Sequence, residues 1–188
     1  MNYDITTLIL VAAITTALGV AVGLFADSFR TQQRLKKELE ENNNIDITGD
    51  DWFAAWQTSV ELQEVLNTER LSIVQKGHSV KIKNFEKSPE NPKGGYLWEG
   101  NMQFYHGKIL MGWYFPVKGE NLSSKGMMFF TYHSAKRVFF GKWVGSAYDG
   151  DLVNGFVVIT KDRQNSMKML TEITKKHPDK INIIYEQF

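Results

Sequence analysis

The stretch Tyr96-Leu97-Trp98-Glu99-Gly100-Asn101-Met102-Gln103-Phe104-Tyr105-His106-Gly107-Lys108-Ile109-Leu110-Met111-Gly112-Trp113-Tyr114-Phe115 decides the fold. Tyr96, Trp98, Met102 and Phe104 fall at even positions, and Ile109, Met111, Trp113 and Phe115 at odd ones. Each half therefore carries the two-residue period of a strand with one apolar face. His106-Gly107 between the halves is turn chemistry, so the pair reads as an antiparallel hairpin with those residues turned inward.

The same texture runs outward from this hairpin. Short apolar and aromatic runs at 71–76, 78–86, 126–133, 136–144 and 153–161 join strands expected at 95–105 and 108–117. Lys76-Gly77, Lys93-Gly94-Gly95, Lys118-Gly119-Glu120-Asn121 and Tyr148-Asp149-Gly150-Asp151 separate them as turns. Residues 52–58 fit either a helix, with Trp52, Trp56 and Val60 on one face behind an Asp cap, or an opening strand, with Trp52, Ala54 and Trp56 alternating inward. The strand is the better reading, followed by a helical turn at 60–67. Residues 164–177 read as a helix with Met167, Leu170 and Ile173 on one face, and 181–188 as a last strand after Pro178, the two plugging or edging the sheet. The expected fold is mainly β: a small antiparallel β-barrel of about eight strands, with a C-terminal helix plus strand. Met127 to Phe130 and Val138 to Phe140 are apolar on both faces, so those strands are either covered outside or lie against another subunit.

Ahead of the barrel, residues 5–26 run 22 positions without a charge, long enough for one transmembrane helix. A secretory signal peptide would need a basic n-region and a shorter apolar core, and Met1-Asn2-Tyr3-Asp4 has no Lys or Arg. Arg30, Arg34, Lys36 and Lys37 follow the segment closely, so the positive-inside rule puts the N-terminus outside and the C-terminal domain in the cytoplasm. Thr15, Gly19 and Gly23 share one stripe, and Gly19 with Gly23 matches the small-xxx-small spacing that lets membrane helices pack. Three units follow: a transmembrane anchor over 1–27, a juxtamembrane helical connector over 28–48 that reads as a solvated spacer, and the barrel over 49–188.

The absence of cysteine excludes a disulfide framework, Cys-ligated zinc and a thiol nucleophile. His78, His106, His133 and His177 have no metal-ligand spacing, and no nucleophile elbow, Walker loop or dinucleotide fingerprint occurs. The expectation is a non-enzyme without metal or cofactor. The net charge of +1 is a cancellation. Residues 1–50 carry four basic and seven acidic groups, whereas Lys76 to Lys142 carry eleven against four. Such a field suits an anionic membrane surface or an anionic ligand. Aromatics interleaved with cations are what a nucleotide site needs, which makes Arg137, Lys142 and Lys108 candidate phosphate contacts and Trp98, Trp113 and Tyr132 candidate stacking or pocket walls.

Three short motifs carry a resemblance: Trp52 and Trp56 spaced by four, the Gln75-Lys76-Gly77 turn, and Gly141-Lys142-Trp143-Val144-Gly145. With the anchor ahead of them, the chain resembles the membrane-anchored β-barrel effectors of bacterial cyclic-oligonucleotide (CBASS-type) antiphage signalling. The resemblance implies an antiviral effector in the bacterial inner membrane. Its partners would be a cyclic nucleotide second messenger made by a cGAS-like synthase, membrane lipids and further copies of itself as a homo-oligomer, with no polymeric nucleic acid. The best-known members have two spans and this chain has one evident span, which shifts weight onto self-association through Gly19 and Gly23. The alternative from another class is a lipocalin-like or structural membrane-tethered barrel that holds an apolar ligand or docks a protein partner.

Overall fold

The computed structural model describes residues 5–57, 66–86, 96–117, 125–146 and 152–176. Eight strands form a closed antiparallel barrel in chain order: β1 (Gly49–Gln57), β2 (Leu66–Lys76), β3 (Ser79–Asn84), β4 (Trp98–Tyr105), β5 (Ile109–Pro116), β6 (Gly126–His133), β7 (Val138–Ser146) and β8 (Leu152–Thr160). An N-terminal helix, α1 (Ile5–Glu41), precedes the barrel and α2 (Arg163–Lys176) follows it. The opening tryptophan stretch is a strand, as expected. Its expected continuation as a helical turn lies mostly outside the described residues, and Leu66 and Asn67 at its end already belong to β2.

Closure comes from β1, which pairs with β2 on one side and β8 on the other. A ninth strand therefore has no open edge among these eight, and residues 181–188 lie outside the described residues. Contrary to expectation, α2 neither plugs nor edges the barrel. It lies on the outer wall, where Met169, Leu170 and Ile173 pack against Ala55, Val138, Phe140, Phe156 and Val158. This explains why Val138 to Phe140 is apolar on both faces.

Inside, the rows are filled by side chains. Trp52, Leu71, Ile73, Phe104, Leu110, Phe130, Phe139 and Ile159 have no accessible surface. Phe139 is the hub: its ring lies 5.4 Å from Trp52, 6.3 Å from Phe104 and Phe130, and 4.4 Å from Tyr132. Aromatic edges of this kind suit the narrow bore of an eight-stranded barrel.

One register in the deciding hairpin runs opposite to the sequence reading. Met102 pairs with Gly112 and Gly100 with Tyr114, so even residues face even residues across β4 and β5. Leu110 and Tyr114 therefore point inward, while Met111 and Trp113 point out and Trp113 is 61% exposed. The turn causes this. His106 and Gly107 both adopt the left-handed conformation (φ 53° and 63°), and the three-residue connection 106–108 fixes an even-to-even pairing.

α1 is one unbroken helix of 37 residues, about 55 Å at 1.5 Å per residue. Its apolar side chains are uncovered: Leu18 is 61% exposed, Leu24 69% and Phe25 77%. It is long and apolar enough to cross a membrane, and its burial is not that of a core helix.

Candidate functional site

The two ends of the barrel differ because α1 is attached to only one of them. The helix stops in the left-handed pair Asn43 and Asn44 (φ 57° and 56°), and its last turn docks on two hairpin turns. Asn42 is fully buried; its Oδ1 accepts from the Gly107 amide at 3.1 Å. Glu38 Oε2 accepts from the His78 amide at 3.0 Å, and Asn43 Nδ2 donates to the His106 carbonyl at 3.1 Å. The connector is thus not a solvated spacer at its end. Beyond it, Ile47 plugs the same mouth: its side chain is fully buried in the core, and its carbonyl accepts from Trp52 Nε1 at 2.9 Å.

The expected ligand residues divide between places. Lys108, Tyr132 and Arg137 come together on this helix-proximal rim, where the Tyr132 amide donates to the Lys108 carbonyl at 2.6 Å. Arg137 occupies a left-handed corner (φ 51°) with its guanidinium 5.9 Å from the Trp52 ring centroid. Burial raises the Tyr132 hydroxyl pKa above its ordinary value, against the opposing effect of Arg137. On the same rim Lys161 pairs with Asp51 and holds that carboxyl below the usual range, while its ammonium sits 4.0 Å from the Trp52 ring centroid. Lys142 is elsewhere, on the outer wall over Phe156 at 4.7 Å. Trp113 is also on the outer wall and lines no interior, for the register reason given above. Trp98 is inside, but at the opposite end.

That opposite end holds a polar cluster among indoles. Trp56 and Trp98 meet edge to face at 5.6 Å, and Tyr114 lies 6.2 Å from Trp98. Trp98 Nε1 donates to buried Glu69 Oε2 at 2.7 Å. Trp56 and Asn67, directly opposite each other in β1 and β2, are each 8% exposed, yet Trp56 Nε1 and Asn67 Oδ1 have no hydrogen-bond partner. A buried orphan donor beside a buried orphan acceptor costs about 1–3 kcal/mol for each group. A molecule that satisfies both at once offsets that cost. The connections of this end run through 58–65, 87–95, 118–124 and 147–151, outside the described residues.

Asn67 and Glu69 escaped the sequence reading because polar side chains at inward positions broke the apolar alternation of β2. The signal was present all the same: Asn67, Glu69, Leu71 and Ile73 keep one parity. No His, Asp or Glu group among the described residues could hold a metal ion. Thr15, Gly19 and Gly23 lie on the bare part of α1, with open space where a Cβ on either glycine would stand. No family model, curated protein or solved structure matches this chain.

Proposed function

We propose that this chain is a membrane-anchored antiviral effector of the bacterial inner membrane. Its cytoplasmic barrel senses a cyclic nucleotide at the end away from the anchor, and its oligomerisation disrupts the membrane. The observation that carries the reading is the orphan pair Trp56 Nε1 and Asn67 Oδ1 among Trp98, Tyr114 and Glu69. A nucleobase edge presents donors and acceptors together on a flat ring, which matches such a cluster lined by aromatic rings. The orientation follows from the basic flank of the apolar run.

An interior filled by Trp52, Leu71, Phe104, Phe130 and Phe139 weighs against the lipocalin-like alternative, which needs an apolar hollow. The test is the thermal midpoint of the full chain in detergent with a panel of cyclic di- and trinucleotides. Ligand at about 100-fold above its Kd should add about 2.7 kcal/mol of stability. Trp56→Phe, which keeps an aromatic side chain but removes the indole N–H, should weaken that gain. A panel that moves nothing, with a shift from lipid instead, refutes the proposal.

A further inference from the structure

The outer wall of the barrel has three sectors. α2 covers β1, β8 and the Val138 to Phe140 part of β7. The wall of β2 to β4 is mostly polar, with exposed Arg70, Lys81, Lys83, Glu99, Asn101 and Gln103 around exposed Val74 and Tyr105. The third sector, β5 and β6 with the far part of β7, is apolar and bare. Trp113 is 61% exposed, Phe129 49%, Val144 44%, Met127 42% and Met111 39%. They form one continuous grid, since Met111 pairs with Phe129, Trp113 with Met127, and Met127 with Val144. No outward position of β5 or β6 carries an acid or a Lys or Arg. Nothing among the described residues covers this sector.

We propose that this wall, centred on Trp113 and Phe129, is the face through which two copies of the barrel pair. The proposal rests on the membrane-anchored reading for the way copies approach each other. Anchors in one bilayer hold every barrel the same way up at one height, so copies meet wall to wall. A twofold axis along the membrane normal then brings the same patch from each copy together. Trp, Phe and Met are the composition of an interface core, and the one cation at the patch margin, Lys142 opposite Phe129, is folded over the Phe156 ring. The bilayer is a poorer occupant. α1 continues unbroken for 14 residues after Asp27, about 21 Å, and so lifts the attached rim off the surface. Trp113, Met127 and Val144 lie toward the end of the wall away from that rim.

The chain has no cysteine, so a single introduced thiol can cross-link only to another copy. Met111→Cys and Phe129→Cys should give cross-linked dimer from the full chain in membranes, whereas Lys81→Cys, exposed on β3 two strands from the patch, should not. Adding Trp113→Glu to Met111→Cys should lower the dimer about tenfold, the effect of losing a central aromatic anchor. The thermal midpoint should be unchanged, because the side chain is outside. Equal cross-linking at Lys81→Cys and Met111→Cys overturns the pairing as mere collision. So does the absence of cross-links at the patch, whether brominated lipid quenches Trp113 there or deletion of residues 177–188 newly exposes it. Carbonate extraction separates the two readings. A carbonate-soluble chain that still cross-links at the patch refutes the anchor and keeps the pairing, and a membrane-retained chain without patch cross-links does the reverse.

Discussion

Replacing His78 by Ala should loosen the attachment of the helix to the barrel, and by an amount that depends on pH. The ring is held between two groups that only accept: Nδ1 lies 2.8 Å from the Phe104 carbonyl and Nε2 2.9 Å from Glu41 Oε2. Both contacts are hydrogen bonds only when both nitrogens carry protons, so the geometry favours the imidazolium. Burial pushes the pKa down, but the Phe104 carbonyl, the Glu41 hydrogen bond and the nearby Glu38 and Glu41 charges outweigh it and leave it raised. The Asn42 amide, 3.3 Å from Nδ1, is a donor and softens the loss when the ring is neutral. A raised folded-state pKa contributes stability that is fully present below the unfolded value of about 6.5 and is lost as pH rises through the folded value. The Phe104 bond is charge-assisted and contributes about 1.5–3 kcal/mol at low pH. Glu41 is 45% exposed, which limits its part to about 1 kcal/mol or less. Urea unfolding of the full chain in detergent, followed by tryptophan fluorescence, should show His78→Ala about 2–3 kcal/mol less stable than the parent at pH 5.5. The gap should narrow toward pH 8.5, with a slope of at most about 1.4 kcal/mol per pH unit for one proton. Taking the difference between parent and variant cancels the titration of the other histidines. A gap that stays constant or widens with pH refutes the assignment of the charge to His78.

Phe139→Ala should cost about 3–5 kcal/mol in the same unfolding experiment, because a void of about 100 Å³ at about 24 cal/mol per Å³ adds to the lost transfer energy of the ring. A loss below about 1 kcal/mol would mean that the aromatic hub collapses freely and is not close-packed. Gly141→Ala places a Cβ against the Phe129 carbonyl and the Phe130 ring, so about 1–3 kcal/mol of overpacking should appear as a lower thermal midpoint. An unchanged midpoint would show that β6 and β7 do not pair as described. Gly19→Leu with Gly23→Leu should abolish toxicity on induction in bacteria while leaving membrane retention intact, and unchanged toxicity would exclude that stripe from assembly.

The barrel was legible because strand alternation and turn residues are local. Seven of the eight strand pairings join neighbours in sequence, and only the closing pair of β1 with β8 is a long-range choice. What misled was direction. In β5 the bulk of Met111 and Trp113 outweighed Leu110 and Tyr114 in the reading, yet inward and outward are decided by the loop at 106–108 and its two left-handed residues. An outer wall that is itself apolar removes the contrast on which parity depends. The inverse problem hid the start of β2, where Asn67 and Glu69 face inward. The candidate cations suffered from a third effect: Lys108, Arg137 and Lys142 are near in sequence pattern, but closure sends two to one rim and one to the outer wall. The connector's docking was illegible for a different reason, since Glu38, Glu41 and Asn42 find partners at Gly77, His78 and Gly107 only after the turns exist.

The inequivalence of the two ends bears on how a ligand could act. Trp56, Asn67 and Trp98 lie at one mouth, and Asn42 and His78 fasten α1 at the other, where Ile47 is buried. Between them stand Leu71, Phe104, Leu110, Phe130 and Phe139, all fully buried. A close-packed core of this kind has one arrangement, and coupling between distant sites needs an element with two. A ligand at the far mouth therefore does not work by deforming the barrel toward the helix. Under the proposed function it would act where it binds, on that mouth and the adjoining wall. Trp113, Met127 and Val144 stand on that same half of the wall, one strand layer outside Tyr114 and Gly145. Ligand binding and copy pairing would then share one end of the barrel, and α1 in the membrane would hold copies in register.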